Sequence, residues 1–310
     1  MDVDVDVDEA QAPGTSRTLD LGGPVHVVDY GGADGGQAVV LVHGLGGSHG
    51  NWDLLAPLLT PTCRVWAVDL PGFGRSEPGE RRATVPANVE VVRRFLREVV
   101  GEPVVLVGNS MGGMISLFTA AAEPGLVHGL VLLDPALPGG RRRLDPLVAA
   151  TFALYALPGL GERFLALRRS RSTPLTRVRA MLELVGVDPD ELPAPVVDRA
   201  VTLLEQREDV AGMDRAFLTA ARSLLRILLD PRRYRSAMDR ITAPVLLVHG
   251  DRDRLVPVSA AREVAEAHPA WRYEELAAVG HVPQLQVPDR LAGLVLSWMG
   301  ESVSGSAARS

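Results

Sequence analysis

Five apolar runs punctuate the chain: AVVLV at 38–42, VWAV at 65–68, VVLV at 104–107, LVLL at 130–133 and VLLV at 245–248. Each gives way within two residues to Gly, Asp or Asn. Uninterrupted aliphatic runs suit strands buried on both faces, because a strand with one wet face alternates apolar with polar residues. Between them lie helical patterns such as VEVVRRFLREVV, where Val89, Val92, Phe95, Leu96 and Val99 keep the i, i+3, i+4 spacing of an amphipathic helix. Strands alternating with helices predict an α/β fold, a mostly parallel sheet with helices on both faces.

The alternation stops between Asp134 and Ala243. About a hundred residues there carry helical patterns (LVAATFALYAL, RVRAMLELV, VVDRAVTLLEQ) separated by Pro and Gly turns. This segment reads as an inserted helical cap over 137–240, with the core supplied by 17–136 and 241–300. Residues 137–240 hold 18 arginines against 13 acids, a balance of +5 in a chain whose net charge is -6. The remainder is therefore strongly acidic, and the split supports treating the cap as a separate unit. The first 16 residues, rich in Asp-Val repeats, read as a disordered acidic tail, and 301–310 as a flexible one.

With 310 residues and 46% hydrophobic composition the chain has ample material for a large core. The acidic balance and the lack of an aromatic-interleaved basic patch exclude nucleic acid as the expected partner. The single cysteine, Cys63, allows no intramolecular disulfide, and the N-terminus has neither the basic nor the apolar region of a signal peptide. A cytoplasmic location follows as the expectation. The longest apolar run, Leu147 to Leu160, contains Pro158 and falls short of the roughly 20 residues that span a bilayer. No stable membrane anchor is expected. The sequence leaves the oligomeric state open.

Chemistry enters at VVLVGNSMGGMISLF, residues 104–118, where a strand turns into a helix with Ser110 at the junction. Gly108, Gly112 and Gly113 surround it, as a sharp turn demands. A serine hydroxyl needs a base to take its proton and a third group to orient that base. Of the seven histidines, His281 fits best, because it follows the last predicted strand (WRYEEL) and catalytic groups collect at the carboxyl ends of strands. His26 and His249 lie within strand patterns and read as structural; His128 and His268 read as surface or helix-end residues. For the acid, Asp253 and Asp134 both follow strands. Asp253 is favoured, since the loop GDRDRLVP leaves it just before the next helix, and Asp251 is assigned to the turn.

VGNSMGG resembles the nucleophile elbow of the α/β-hydrolase superfamily, with Gly108, Asn109, Ser110, Met111 and Gly112 spelling G-x-S-x-G. The chain order Ser110, Asp253, His281 is similar to the order in that family. VLVHGLGGS (40–48) looks like its oxyanion loop, VDLPGFGRS (68–76) like the loop after its fourth strand, and GHVPQLQVP (280–288) like its histidine loop. The resemblance covers about residues 17–300 and implies a mostly parallel eight-stranded sheet. It also implies that the backbone N–H groups of Leu45 and Met111 form an oxyanion hole.

These assignments predict a serine hydrolase that cleaves a carboxylic ester or related small-molecule acyl substrate through an acyl-enzyme. The scheme requires no cofactor and no metal, and no H-E-x-x-H, C-x-x-C or Walker-type loop is present. A second reading is carbon-carbon hydrolysis of vinylogous diketones, because GNSMGG and Gln284 are also similar to the meta-cleavage-product hydrolases. Val282, where those enzymes commonly carry tryptophan, and the HGLGGSHGNW loop depart from that pattern. A non-catalytic small-molecule receptor on the same fold is the third reading. His49, Phe152, Tyr155 and Val282 are the candidate substrate-binding residues, with Leu147, Leu154 and Leu157 open to either pocket or cap packing. Arg141 to Arg143 and Arg168, Arg169 and Arg171 read as solvated basic faces.

Overall fold

The computed structural model describes residues 13–139 and 145–302, so the tail calls at 1–12 and 303–310 and the Arg141–Arg143 face lie outside the described residues. One sheet of eight strands organises the molecule, with spatial order β1-β2-β4-β3-β5-β6-β7-β8. The strands are β1 (Thr15–Asp20), β2 (Pro24–Gly32), β3 (Gln37–Val42), β4 (Cys63–Val68), β5 (Val104–Asn109), β6 (Val127–Leu133), β7 (Val245–Gly250) and β8 (Arg272–Leu276). From β4 through β8 every pairing is parallel; β2 runs antiparallel to both β1 and β4. The five apolar runs all fall inside β3 to β7. Residues 15 and 16 were expected in the tail but belong to β1, which is polar because it is an edge strand leaning on β2 alone. His128, expected at the surface or a helix end, lies in β6.

The uninterrupted strands resolve into two cores. Val40, Val42, Val104, Leu106 and Leu132 point to one face, while Val39, Leu41, Val105, Val107 and Val131 point to the other. Period-two alternation thus survives, with both sets apolar because both faces are covered. α1 (Ala56–Leu59) and, from the far end of the chain, α12 (Pro288–Ser302) cover the second face; α2 (Val85–Phe95), α3 (Met111–Ala122) and α10 (Val258–Ala267) cover the first. α2 begins where the Thr84 side chain accepts the Ala87 N–H, a cap followed by Pro86 within the first turn.

Between β6 and β7 the chain forms α4 (Pro146–Ala156), α5 (Leu160–Arg171), α6 (Pro174–Leu184), α7 (Ala194–Glu208), α8 (Met213–Leu228) and α9 (Pro231–Met238), and α11 (Pro283–Gln286) follows β8. Polar ties fasten this insert to the sheet layer. Arg199 pairs with buried Asp53 at 2.9 Å, Arg207 donates to the Gly72 carbonyl, and Ser223 Oγ accepts the Val85 N–H. Asp145 caps α4 and pairs with Arg254 at 2.8 Å. Among the described residues no helix is long and apolar enough to cross a membrane.

Candidate active site

Ser110 links β5 to α3 with φ of 56°, a left-handed backbone that a non-glycine residue adopts at a cost of about 1–3 kcal/mol. Three hydrogen bonds hold it there: its N–H donates to Leu133 O, and its carbonyl accepts from Met114 and Ala136. The turn also depends on glycine. A Cβ on Gly112 would lie 2.1 Å from Val42 O, and one on Gly108 2.4 Å from Gly112 O. Strand, elbow and helix therefore interlock only with these residues absent of side chains. Met111 opens α3, and an amide in the first helical turn has no partner within its helix. Gly44 abuts the elbow, a Cβ there falling 3.0 Å from the Ser110 Cβ, which brings the neighbouring Leu45 alongside the serine.

His281 and Asp253 meet from the loops after β8 and β7, with His281 Nδ1 2.6 Å from Asp253 Oδ2. The other carboxylate oxygen accepts the N–H groups of Leu255 and Val256 at 2.7 and 3.0 Å. Burial alone would raise the Asp253 pKa, yet the His281 charge and the hydrogen bonds from His249 and His281 hold it well below the usual carboxylate range. For His281 burial works against the cation, and the Asp253 charge and hydrogen bond more than offset it, so its pKa is raised. Its Nε2 is buried with no hydrogen-bond partner among the described residues. The backbone of His281 is fixed from two sides, its N–H donating to Val185 O in the insert and its carbonyl accepting from Asn109 Nδ2. Asp134, the alternative acid, accepts the Gly250 N–H and lies 3.7 Å from His249 Nε2. Asp251 accepts the Ala278 N–H, as a turn-stabilising residue does.

The loops after β3 and β4 are joined by imidazoles. His43 donates from Nδ1 to Gly44 O and accepts the Leu70 N–H at Nε2; burial pushes its pKa down to about 4, so the ring is neutral. Asp69, fully buried, lies 2.9 Å from His26 Nδ1 and 2.8 Å from His49 Nδ1, and accepts the backbone N–H of Arg75. His26, His49 and Asp69 bring ligand-type atoms within 4.8 Å of one another, but the bonds just described already occupy the facing atoms. The group reads as a hydrogen-bond network. His49 lines the cavity beside Ser110, yet its Nδ1 is committed to Asp69.

A cavity of about 1180 Å³ lies between the sheet's carboxyl edge and the insert. Ser110, Leu45 and His281 belong to its wall on one side; Phe152, Tyr155 and Phe217 belong to it on the other. Tyr155 is buried at the hub of an aromatic cluster, 5.9 Å from the Phe152 ring and 5.1 Å from that of Phe217, with Arg168 beside its hydroxyl. Val282 is not itself part of the wall; its side chain packs with Val178, Val197 and Leu285, which are, in an apolar cluster between α6, α7 and the histidine loop. Leu147 and Leu157 point to solvent, and Leu154 is not part of the wall. Arg168 and Arg169 line the cavity, and Arg169 pairs with Asp214, so they are not a purely solvated face.

Sequence reading missed Asn109, whose amide joins the elbow to the histidine loop across 172 positions of chain. It also set His249 aside as a strand residue, although the ring reaches the carboxylate of Asp253. The first contact leaves no local signal; the second joins residues four positions apart, in HGDRD.

The sequence matches a family model described as alpha/beta hydrolase fold over residues 37–288. It is 29% identical over 282 residues to the pimeloyl-[acyl-carrier protein] methyl ester esterase of Methylococcus capsulatus, covering 86% of this chain and 96% of that one. It is 28% identical over 297 residues to the dihydrolipoyllysine-residue acetyltransferase component of the acetoin cleaving system of Pseudomonas putida, covering 94% and 71%. The 2-hydroxy-6-oxo-6-phenylhexa-2,4-dienoate hydrolase of Rhodococcus superposes with a TM-score of 0.74 at 24% identity, over 93% of this chain and 99% of that one.

Proposed function

Since the chain belongs to the α/β-hydrolase fold family, we propose that it is a serine esterase in which Ser110, His281 and Asp253 form the catalytic triad. One observation carries the reading: His281 is gripped at Nδ1 by Asp253, while its Nε2 is buried without a hydrogen-bond partner among the described residues, in a site whose cavity wall also carries Ser110. A general base needs that arrangement, one nitrogen oriented and the other free. The methyl ester esterase, alike over 96% of its length, supports an ester as the substrate class.

In this reading His281 takes the Ser110 proton as the hydroxyl attacks the acyl carbonyl. Asp253 stabilises the imidazolium, and the N–H groups of Leu45 and Met111 receive the oxyanion. At the start of α3 the helix dipole favours that negative charge, and each such donor is worth about a hundred- to a thousandfold. His281 then protonates the leaving alcohol, and water, activated by the same histidine, releases the acid. The insert is the cap: its aromatic wall holds the acyl group and keeps bulk water from the reacting carbonyl. A cytoplasmic setting is part of the proposal, because the one cysteine is buried and free.

The test is a screen of p-nitrophenyl esters of graded chain length beside a vinylogous dienone, with Ser110 labelling by a fluorophosphonate measured in parallel. Turnover of esters with labelling of Ser110 is expected. Turnover of the dienone alone would move the assignment to carbon-carbon hydrolysis, and labelling without turnover of any ligand would favour a receptor.

A further inference from the structure

Behind the triad lies a second imidazole. His249, the penultimate residue of β7, is fully buried, and its Nε2 faces acceptors: Val256 O at 2.9 Å, Asp253 Oδ2 at 3.3 Å and Asp134 Oδ1 at 3.7 Å. A nitrogen surrounded by a carbonyl and two carboxylates must carry a proton; Nδ1 is buried with no hydrogen-bond partner among the described residues, so a second proton there is called for by the two carboxylates and not by a partner of its own. Asp134 is equally buried, with a left-handed backbone (φ of 43°); its Oδ1 accepts the Gly250 N–H and its Oδ2 has no partner among the described residues. Two buried carboxylates this close call for a cation, or one of them must be neutral.

We propose that His249 is a cationic positioning residue for the triad, fixing the Asp253 carboxylate at the oxygen that also faces His281, with Asp134 as its counter-ion. The proposal rests on the triad reading above. Asp253 is then gripped by two imidazoles at Oδ2 and by two backbone amides at Oδ1, so it is kept from rotating away from His281. The charged and titratable groups around His249 are Asp134 at the end of β6, Asp253 in the loop after β7, Glu275 on β8 and His281 beyond it. Burial opposes the His249 cation, but the Asp134 charge and the bond to Asp253 raise its pKa to about 9. Burial pushes Asp134 up to about 7 against the His249 charge.

The two groups act on His281 with opposite signs. A cation at His249 disfavours protonation of His281 and frees the base at lower pH; a carboxylate at Asp134 does the reverse. The kcat/KM profile for an ester should therefore shift in opposite directions in two variants. His249→Asn keeps a donor but loses the charge, and its acid limb should move to higher pH by about half a unit or more. Asp134→Asn should move the limb to lower pH. Limbs that stay in place, or that move together, would make His249 a packing residue and overturn the proposal. A measurement on the unmutated protein guards against variants that do not fold. With 15N-labelled histidine, NMR near pH 7 should find both His249 ring nitrogens protonated, and one bare nitrogen overturns the proposal. That result requires no turnover, so it stands apart from the loss of ester hydrolysis and of Ser110 labelling that would sink the esterase reading.

Discussion

At the carboxyl edge of the sheet, Asp253 accepts from donors at both oxygens, His281 is held at its ring and at both ends of its backbone unit, and the elbow closes only with glycine at 108 and 112. Across the cavity the insert is built differently. Of the eight large hydrophobic residues exposed among the described residues, seven belong to it, with Leu229 and Leu147 the barest at 83% and 63%. The groups proposed to react are thus over-determined by hydrogen bonds from several loops, whereas the facing wall is set mainly by apolar packing. Such a division leaves the wall free to change with substrate while the chemistry stays fixed.

The largest expected break of this contrast is Ser110→Ala. It should lower kcat by about a thousandfold or more with little change in melting temperature, checked by steady-state kinetics beside a thermal melt. Asp253→Asn comes next, at about a hundred- to ten-thousandfold. The amide cannot stabilise the imidazolium, and the loss should exceed that of Asp134→Asn under identical conditions. Third is the unmutated protein's own pH profile. Because the His281 pKa is raised and only the neutral ring serves as base, activity should fall as pH drops through a midpoint above the ordinary 6.5.

On the insert side effects should be smaller and of another kind. Phe152→Ala and Tyr155→Ala should move the chain-length optimum of p-nitrophenyl esters, each methylene accommodated being worth about 0.8 kcal/mol, roughly fourfold. Both variants should also melt earlier, Tyr155→Ala more so because it dismantles the hub of the aromatic cluster. An unchanged chain-length profile would assign these rings to packing alone. Leu167→Ser, at an exposed position of α5, should shift stability by no more than about 0.5 kcal/mol in either direction.

What the sequence made legible follows the same division. The central strands announced themselves because both their faces are buried, and Ser110 because a strand-to-helix turn this sharp requires its glycines. That His281 and Asp253 would meet was readable from their places after strands. The edge strand β1 was not, since half-exposed strands lack an apolar run. In α4, Leu147, Phe152, Leu154 and Tyr155 are spread around an almost uniformly apolar helix, so periodicity named no inward face. Val282 follows His281 by one position yet packs into the α6–α7 cluster, a direction that the sequence around it does not announce. Asn109 reaches the histidine loop across a distance that no local pattern encodes, whereas His249 and Asp253 are only four positions apart and the strand pattern around His249 hid the contact.

The bond from the His281 N–H to Val185 O has a kinetic consequence. Val185 ends α6, and the adjoining Gly186 packs so closely on Gly280 that a Cβ at 186 would lie 3.0 Å from the Gly280 Cα. If the insert swung away as one rigid body to admit a substrate, it would drag the histidine loop with it and disassemble the base. In the proposed esterase, wide opening and an armed triad would therefore exclude each other, and a turnover that began with such a swing would have to re-form the histidine's backbone anchor before proton transfer.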